Sequence, residues 1–223
     1  YDADCIKDAL EKKSPLVIHL GQNIDLEDAR YKIKGDKDHD DKTLEGHGFT
    51  LKYSGDDGEA PLFTDNGASN LVFRHVRFEN TGKDSPAIQI RETSHHVVLD
   101  QCTFACSEPG KCGYAVTVEA PATFVTIQRC LFDQVRKGIR VRNKAGDNGA
   151  GRLTVVECYF RNCEKESPDA EVGWIHMLSC VVEGGGCDPD NDNCDDGNIC
   201  TDDSCNLDTQ QCEFAAVDGC CSS

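Results

Sequence analysis

The sequence predicts an all-β fold, a parallel β-helix with an N-terminal capping helix and a small disulfide-rich C-terminal tail. Two observations support this prediction. A repeat with strand-like alternation of apolar and polar residues runs through most of the chain, and the 223 residues include 15 cysteines, seven of them in the last 37 positions. Alternation of period two indicates strands with one buried face, and a regular repeat of such strands indicates a solenoid.

Five copies of the repeat align without gaps. They are residues 71–78, 97–104, 125–132 and 153–160, with a weaker copy at 175–182. The first four begin 26 to 28 residues apart, and the fifth begins after 22. A helical solenoid would need long amphipathic runs of period 3.6, which these segments lack, so a β-solenoid is favoured.

Stacking of the copies predicts two columns of side chains inside the coil, because successive coils of a β-helix lie about 4.8 Å apart. One column is aromatic and consists of Phe78, Phe104, Phe132 and Phe160. The other consists of Val76, Cys102, Cys130, Cys158 and Cys180. Those cysteines are either small buried fillers or disulfide staples between coils, and the sequence leaves both interpretations open.

Two local features complete the body of the chain. Residues 4–12 have an acidic first turn and an apolar face of Ile6, Ala9 and Leu10, which predicts a helix that caps the coil. Cys106 and Cys112 flank the turn sequence 108–110, and we expect a disulfide between them.

The composition limits the location and the partners. A net charge of −17 disfavours nucleic acid and anionic membranes as partners, and no apolar run reaches 18 residues, so we expect no membrane span. Cysteines at this density are typical of secreted, extracellular proteins with disulfides.

Three glycines, 184–186, separate a body at 1–183 from an acidic tail at 184–223 with a charge of −10. Residues 194–205, CDDGNICTDDSC, resemble the short CDDGN-x-CT-x-D-x-C repeats of extracellular matrix and surface proteins. We expect the tail's seven cysteines to form a small disulfide knot with at most three internal bonds, so that one cysteine pairs with the body, pairs with another chain or stays free. The seven cysteines are Cys187, Cys194, Cys200, Cys205, Cys212, Cys220 and Cys221.

The tail also contains a candidate calcium loop, since alternating carboxylates can converge on one hard cation. The candidate ligands are Asp188, Asp190, Asp192 and Asp195. The alternative is a solvated acidic linker. No other cofactor is indicated.

Segments of the body occur in the same order as a set of family motifs. Residues 41–48, 70–78, 84–90, 94–104 and 173–177 resemble NKTI-x-G-x-G, NVIIRNLKF, DAI-x-I, SHHVWIDHCTF and FGRVHVYNN. These are motifs of the pectate lyase family, which the chain resembles over about residues 4–183. The resemblance implies that the β-helix is right-handed.

The resemblance also implies a site whose chemistry has largely been lost. The family binds Ca²⁺ through clustered carboxylates, and Asp100 matches the first of them, but residues 112–116 lack the acids that should follow. Glu166 and Glu171 stand where the family has its arginine base and a second arginine, while Lys137 matches the substrate lysine. Acids at cation positions would repel a uronate instead of stabilising its charge.

The sequence therefore favours a non-catalytic extracellular structural or assembly protein, a subunit of a wall, matrix, surface coat or fibre. Its expected partners are other copies of itself or other matrix proteins. The alternatives are a β-helix that binds polysaccharide without cleaving it, and a divergent polysaccharide lyase.

Overall fold

The computed structural model describes residues 3–11, 16–27, 29–34, 40–55, 60–65, 67–80, 85–91, 93–107, 112–119, 121–142, 152–163, 169–170, 175–183, 201–206 and 211–216. They form one helix, α1 (Ala3–Glu11), three parallel sheets and a hairpin.

The three parallel sheets are named A, B and C in the order in which the chain visits them. Sheet A consists of β1 (Leu16–His19), β4 (Lys42–Glu45), β7 (Ser69–Arg74), β10 (His95–Asp100), β13 (Thr123–Gln128), β16 (Leu153–Val156) and β19 (Ile175–Leu178). Sheet B consists of β2 (Ile24–Asp25), β5 (Thr50–Tyr53), β8 (Arg77–Asn80), β11 (Thr103–Cys106), β14 (Leu131–Asp133), β17 (Tyr159–Arg161) and β20 (Val181–Glu183). Sheet C consists of β3 (Tyr31–Lys34), β6 (Leu62–Asp65), β9 (Ile88–Ile90), β12 (Tyr114–Glu119), β15 (Lys137–Arg142) and β18 (Asp169–Ala170).

The chain passes from sheet A to B to C and then returns to A one position further along, so the fold is a parallel β-helix as predicted. The five repeat copies correspond to the strand pairs that begin with β7 and end with β20. Two further coils, which contain β1 to β6, precede them. In sheet B of these two coils, Ile24 and Leu51 occupy the register position of the stacked phenylalanines.

The predicted aromatic column lies in the core. Phe78, Phe104, Phe132 and Phe160 occupy one register position of sheet B and are at most 2% exposed. Successive ring centroids are 5.1, 5.0 and 4.6 Å apart, and the rings are tilted by 11° or less. Each ring therefore packs face to face on its equivalent in the next coil.

The cysteine column also lies inside the coil, beside the aromatic column. Cys102, Cys130 and Cys158 are buried free thiols, and Cys180 is a partly buried free thiol in the last of these coils. The structure thus has the small-filler arrangement rather than staples between coils. Cys106 and Cys112 form the expected disulfide.

The corner between sheets A and B is a tight turn that repeats in every coil from the second onward. It places one residue with positive φ, between 50° and 53°, directly after each sheet A strand from β4 onward or one residue later. These residues are His47, His75, Gln101, Arg129, Glu157 and Ser179. The left-handed conformation turns the chain sharply and directs the next residue, such as Cys102, into the core.

The helix α1 begins and ends within one residue of the prediction. Ile6 and Leu10 are buried on its inner face, and the helix packs against β3, the first strand of sheet C. Within the described residues, no helix is long and apolar enough to cross a membrane.

The described part of the tail is an antiparallel hairpin of β21 (Thr201–Asn206) and β22 (Gln211–Ala216), in which Cys205 lies opposite Cys212. The other five tail cysteines, Cys187, Cys194, Cys200, Cys220 and Cys221, lie outside the described residues, as do the calcium candidates Asp188, Asp190, Asp192 and Asp195. The knot and the calcium loop stay predictions.

We expect Phe132→Ala to lower the free energy of unfolding by about 3–5 kcal/mol, because it opens a cavity in the middle of the stack. Phe124→Ala is the matched control in the same coil, since Phe124 is 49% exposed on sheet A. We expect it to change stability by less than about 1 kcal/mol. Urea unfolding followed by circular dichroism measures both, and equal losses would contradict the stack as a core element.

Candidate functional site

Asp100, the residue that matches the family's first calcium carboxylate, is held between two arginines. Arg129 donates from Nε and Nη2 to Oδ1 of Asp100, at 3.0 and 2.6 Å. The Nε of Arg74 lies 3.6 Å from the other carboxylate oxygen, Oδ2. The Asp100 side chain is only 8% exposed, because it lies under these two longer side chains. We call these three residues the arginine clamp.

The register of the coil explains the clamp. Asp100 ends β10, and its equivalents on the neighbouring strands are Arg74 on one side and Gln128 on the other. Arg129 follows Gln128 at the left-handed corner. The aligned repeat copies contain this information, because Arg74 and Asp100 both lie four residues before the stacked phenylalanine.

The clamp does not fit a calcium ion. Ca²⁺ takes six to eight oxygen ligands at about 2.3–2.6 Å, so it needs further carboxylates or carbonyls close to the first. Both oxygens of Asp100 instead face guanidinium groups, which repel a cation. No group of three or more His, Cys, Asp or Glu side chains among the described residues could hold a metal.

The structure does not bring Asp100 together with Lys137, the match to the substrate lysine. Asp100 ends a strand of sheet A, Lys137 begins β15 of sheet C, and sheet B lies between them along each coil. The segment that should supply the further calcium acids enters β12, also in sheet C. Glu166 and Glu171 lie outside the described residues.

Sheet C presents a second group of polar side chains around β15. This strand contains Lys137, Arg140 and Arg142 in a chain whose net charge is −17. Arg140 lies over the ring of Tyr114, 4.6 Å from its centroid, and Arg142 is 3.8 Å from Glu119. These residues make β15 a local basic strip.

A third group, a histidine ladder that sequence reasoning did not identify, occupies the corner between sheets A and B. The Nδ1 of His19 and the Nε2 of His47 are 2.9 Å apart, and in the next coil Nδ1 of His75 donates to Oε1 of Glu45 at 2.8 Å. This hydrogen bond raises the pKa of His75 above its ordinary value, against the effect of burial. Burial raises the pKa of Glu45, but hydrogen bonds from His75 and the His47 backbone outweigh it and leave that pKa below its ordinary value.

A family model for pectate lyases matches residues 3–206. The chain belongs to the pectate lyase family. The match covers every coil of the β-helix and crosses the boundary expected at residues 183 and 184, so it includes part of the tail.

Two relatives in this family are pectate trisaccharide-lyases of Thermotoga. The protein of Thermotoga maritima is 29% identical over 126 residues, which cover 50% of this chain and 33% of the relative. The protein of Thermotoga sp. strain RQ2 is 28% identical over 125 residues, with the same coverage. The matched region thus spans about a third of the length of these curated relatives.

We expect a double-mutant cycle of Asp100→Ala and Arg129→Ala to give a coupling energy of about 1–3 kcal/mol, because the carboxylate is almost fully buried. The matched control is the pair Asp133 and Arg161, also joined at 2.6 Å but with the aspartate 20% exposed. Its coupling should stay below about 1 kcal/mol, since solvent screens it. Urea unfolding measures both cycles, and a coupling near zero at Asp100 would contradict the clamp.

We expect His75→Gln to destabilise the protein at pH 5.5 and to have little effect at pH 8.5. Glu45 stabilises the fold above its unfolded pKa near 4.5, and His75 stabilises it below its unfolded pKa near 6.5 and loses that effect as the pH rises through its folded pKa. The loss at pH 5.5 should be under about 1 kcal/mol, because His75 is 42% exposed.

Glu45→Gln serves as the partner variant for this test. In that background the cost of His75→Gln should differ less between the two pH values, because the hydrogen bond that contributes most to the raised pKa of His75 is gone while the contributions of Gln101 and Asp100 remain. A pH-dependent loss that stays as large without Glu45 would contradict the proposed pairing.

Proposed function

We propose that this chain is a non-catalytic member of the pectate lyase family that acts as an extracellular structural or assembly protein. The observation that supports this most strongly is the arginine clamp. The residue that matches the calcium carboxylate is an internal ion-pair partner, with Arg129 at 2.6 Å.

The family's chemistry needs a cation beside the substrate's carboxylate, because that charge acidifies the proton that is removed. In this chain the clamp neutralises Asp100 and repels a metal. Glu166 and Glu171 add negative charge at positions where the family has arginines. The lyase activity in the relatives' names therefore does not transfer to this chain under the proposal.

Self-association is supported by the two unlike ends of the coil. At one end α1 packs against β3. At the other end β19 and β20 are the last strands of sheets A and B, and they expose Leu178, Val181 and Val182 by 44%, 47% and 39%. Open strand edges with apolar side chains tend to pair with other chains. Among the described residues, α1 packs on one end of the coil and apolar side chains are exposed at the other, so we expect a second copy to meet the exposed end in a closed dimer rather than an open filament.

The assembly experiment is sedimentation of the full chain under native, non-reducing conditions. We expect a dimer, and we expect V181K/V182K to shift it to monomer because the charges would be buried at the joint. Val17→Lys is the matched control, since Val17 is 55% exposed on β1 near the capped end. A wild-type chain that stays monomeric at all concentrations would overturn the assembly role.

The catalytic part has its own test. The wild-type chain is incubated with polygalacturonate and Ca²⁺, and the absorbance of unsaturated products is followed. We expect no increase above the buffer control, and product formed in proportion to the chain's concentration would overturn the proposal.

A second candidate function is binding of an acidic polysaccharide without cleavage, and the basic strip of β15 favours it. Affinity electrophoresis in gels with polygalacturonate tests this function. Retardation that disappears in R140Q/R142Q would establish it, while mobility equal to that in gels with neutral dextran would exclude it.

A further inference from the structure

Four thiols lie one above another inside the last coils of the β-helix. Cys102, Cys130 and Cys158 are 1%, 2% and 1% exposed, while Cys180 is partly exposed at the open end. We call these four residues the thiol column. The fold alone does not require them, because Val76 holds the same position one coil before Cys102 and is equally buried.

Each thiol makes the same two contacts. Its Sγ lies within hydrogen-bonding distance of the carbonyl oxygen two residues earlier and of one carbonyl oxygen on the preceding coil. The distances are 3.6 and 3.4 Å for Cys102, 3.3 and 3.5 Å for Cys130, 3.4 and 3.5 Å for Cys158, and 3.5 and 3.6 Å for Cys180. The repeated geometry aligns the four sulfurs along the axis of the coil.

Neighbouring thiols shift each other's pKa. Interaction with the thiols of Cys102 and Cys158, together with burial, raises the pKa of Cys130, whereas interaction with Cys130 lowers the pKa of Cys158 against the effect of burial. Burial raises the pKa of Cys180, which is the most exposed of the four.

We propose that the thiol column is an oxidation site, in which adjacent thiols are joined as Cys158–Cys180 and Cys102–Cys130 by exchange with a small disulfide. Equivalent residues of neighbouring coils are separated by about 4.8 Å, and disulfides need Cα atoms about 4.4–6.8 Å apart. Residues two coils apart are separated by about 9.6 Å, twice that spacing, and so cannot be bridged.

The exchange is balanced with a disulfide RSSR as the oxidant. The thiolate of Cys180, the most accessible of the four, attacks one sulfur of RSSR, forms a mixed disulfide and releases RS⁻. The thiolate of Cys158 then attacks Sγ of Cys180 and releases the second RS⁻. Two protein thiols are oxidised, one RSSR is reduced, and two protons pass to the released thiolates. The pair Cys102 and Cys130 reacts by the same steps, but more slowly because both thiols are buried.

Two double variants test the adjacency rule, and valine replaces cysteine because the chain itself uses Val76 in this column. C102V/C130V keeps the adjacent pair Cys158 and Cys180, whereas C102V/C158V keeps Cys130 and Cys180, which lie two coils apart. Both variants lose two buried thiols, so they are matched in packing and in cysteine number.

The full-length chains are treated with oxidised glutathione under native conditions, alkylated in denaturant and mapped by peptide mass spectrometry. We expect Cys158–Cys180 in the wild type and in C102V/C130V, and no bond within the column of C102V/C158V. A Cys130–Cys180 bond in C102V/C158V would overturn the proposal. The absence of a Cys158–Cys180 bond in the oxidised wild type would also overturn it, whether or not the variants fold.

Discussion

The stacking of parallel coils is the constraint on which the rest of the structure depends. Parallel strands in neighbouring coils are about 4.8 Å apart. Each side chain therefore lies next to the side chains at the same register position in the coil before it and in the coil after it. The phenylalanine stack, the thiol column and the arginine clamp all follow from this rule. A functional site in this fold is therefore a column of residues, and its chemistry depends on what successive repeats place in that column.

The neighbours of Asp100 in its column are Arg74 and Gln128 instead of further acids, and Arg129 follows Gln128. A carboxylate between guanidinium groups is a stable internal ion pair, but it is a poor ligand for a divalent cation. The chain has the fold of its family while the charges at this position have changed. The coil depends on its interior columns, so the fold does not require particular charges at this position.

Sequence analysis predicted the structural features at which successive repeat copies have the same distinctive residue. The four phenylalanines, the inward cysteines and the Cys106–Cys112 disulfide were predicted from spacing or alternation. The repeat alignment did not extend to the first two coils because their strands lack those markers, although the family motif at residues 41–48 identified part of the second coil. The contacts of Arg74 and Arg129 with Asp100 were not predicted, because only the apolar positions of the repeat alignment were used. The same alignment also places polar residues of neighbouring coils next to each other. Family motifs did not show that Asp100 and Lys137 lie on different sheets, since a motif does not specify which face of the coil it occupies.

The most direct test of the central claim is anomalous diffraction from crystals of the chain grown with Ca²⁺ and soaked in Tb³⁺, which binds at calcium sites. The arginine clamp predicts Arg129 on the Asp100 carboxylate and no anomalous peak there, whatever the tail binds. A lanthanide peak at about 2.3–2.6 Å from the Asp100 oxygens, with Arg129 turned away, would contradict it and restore a calcium site.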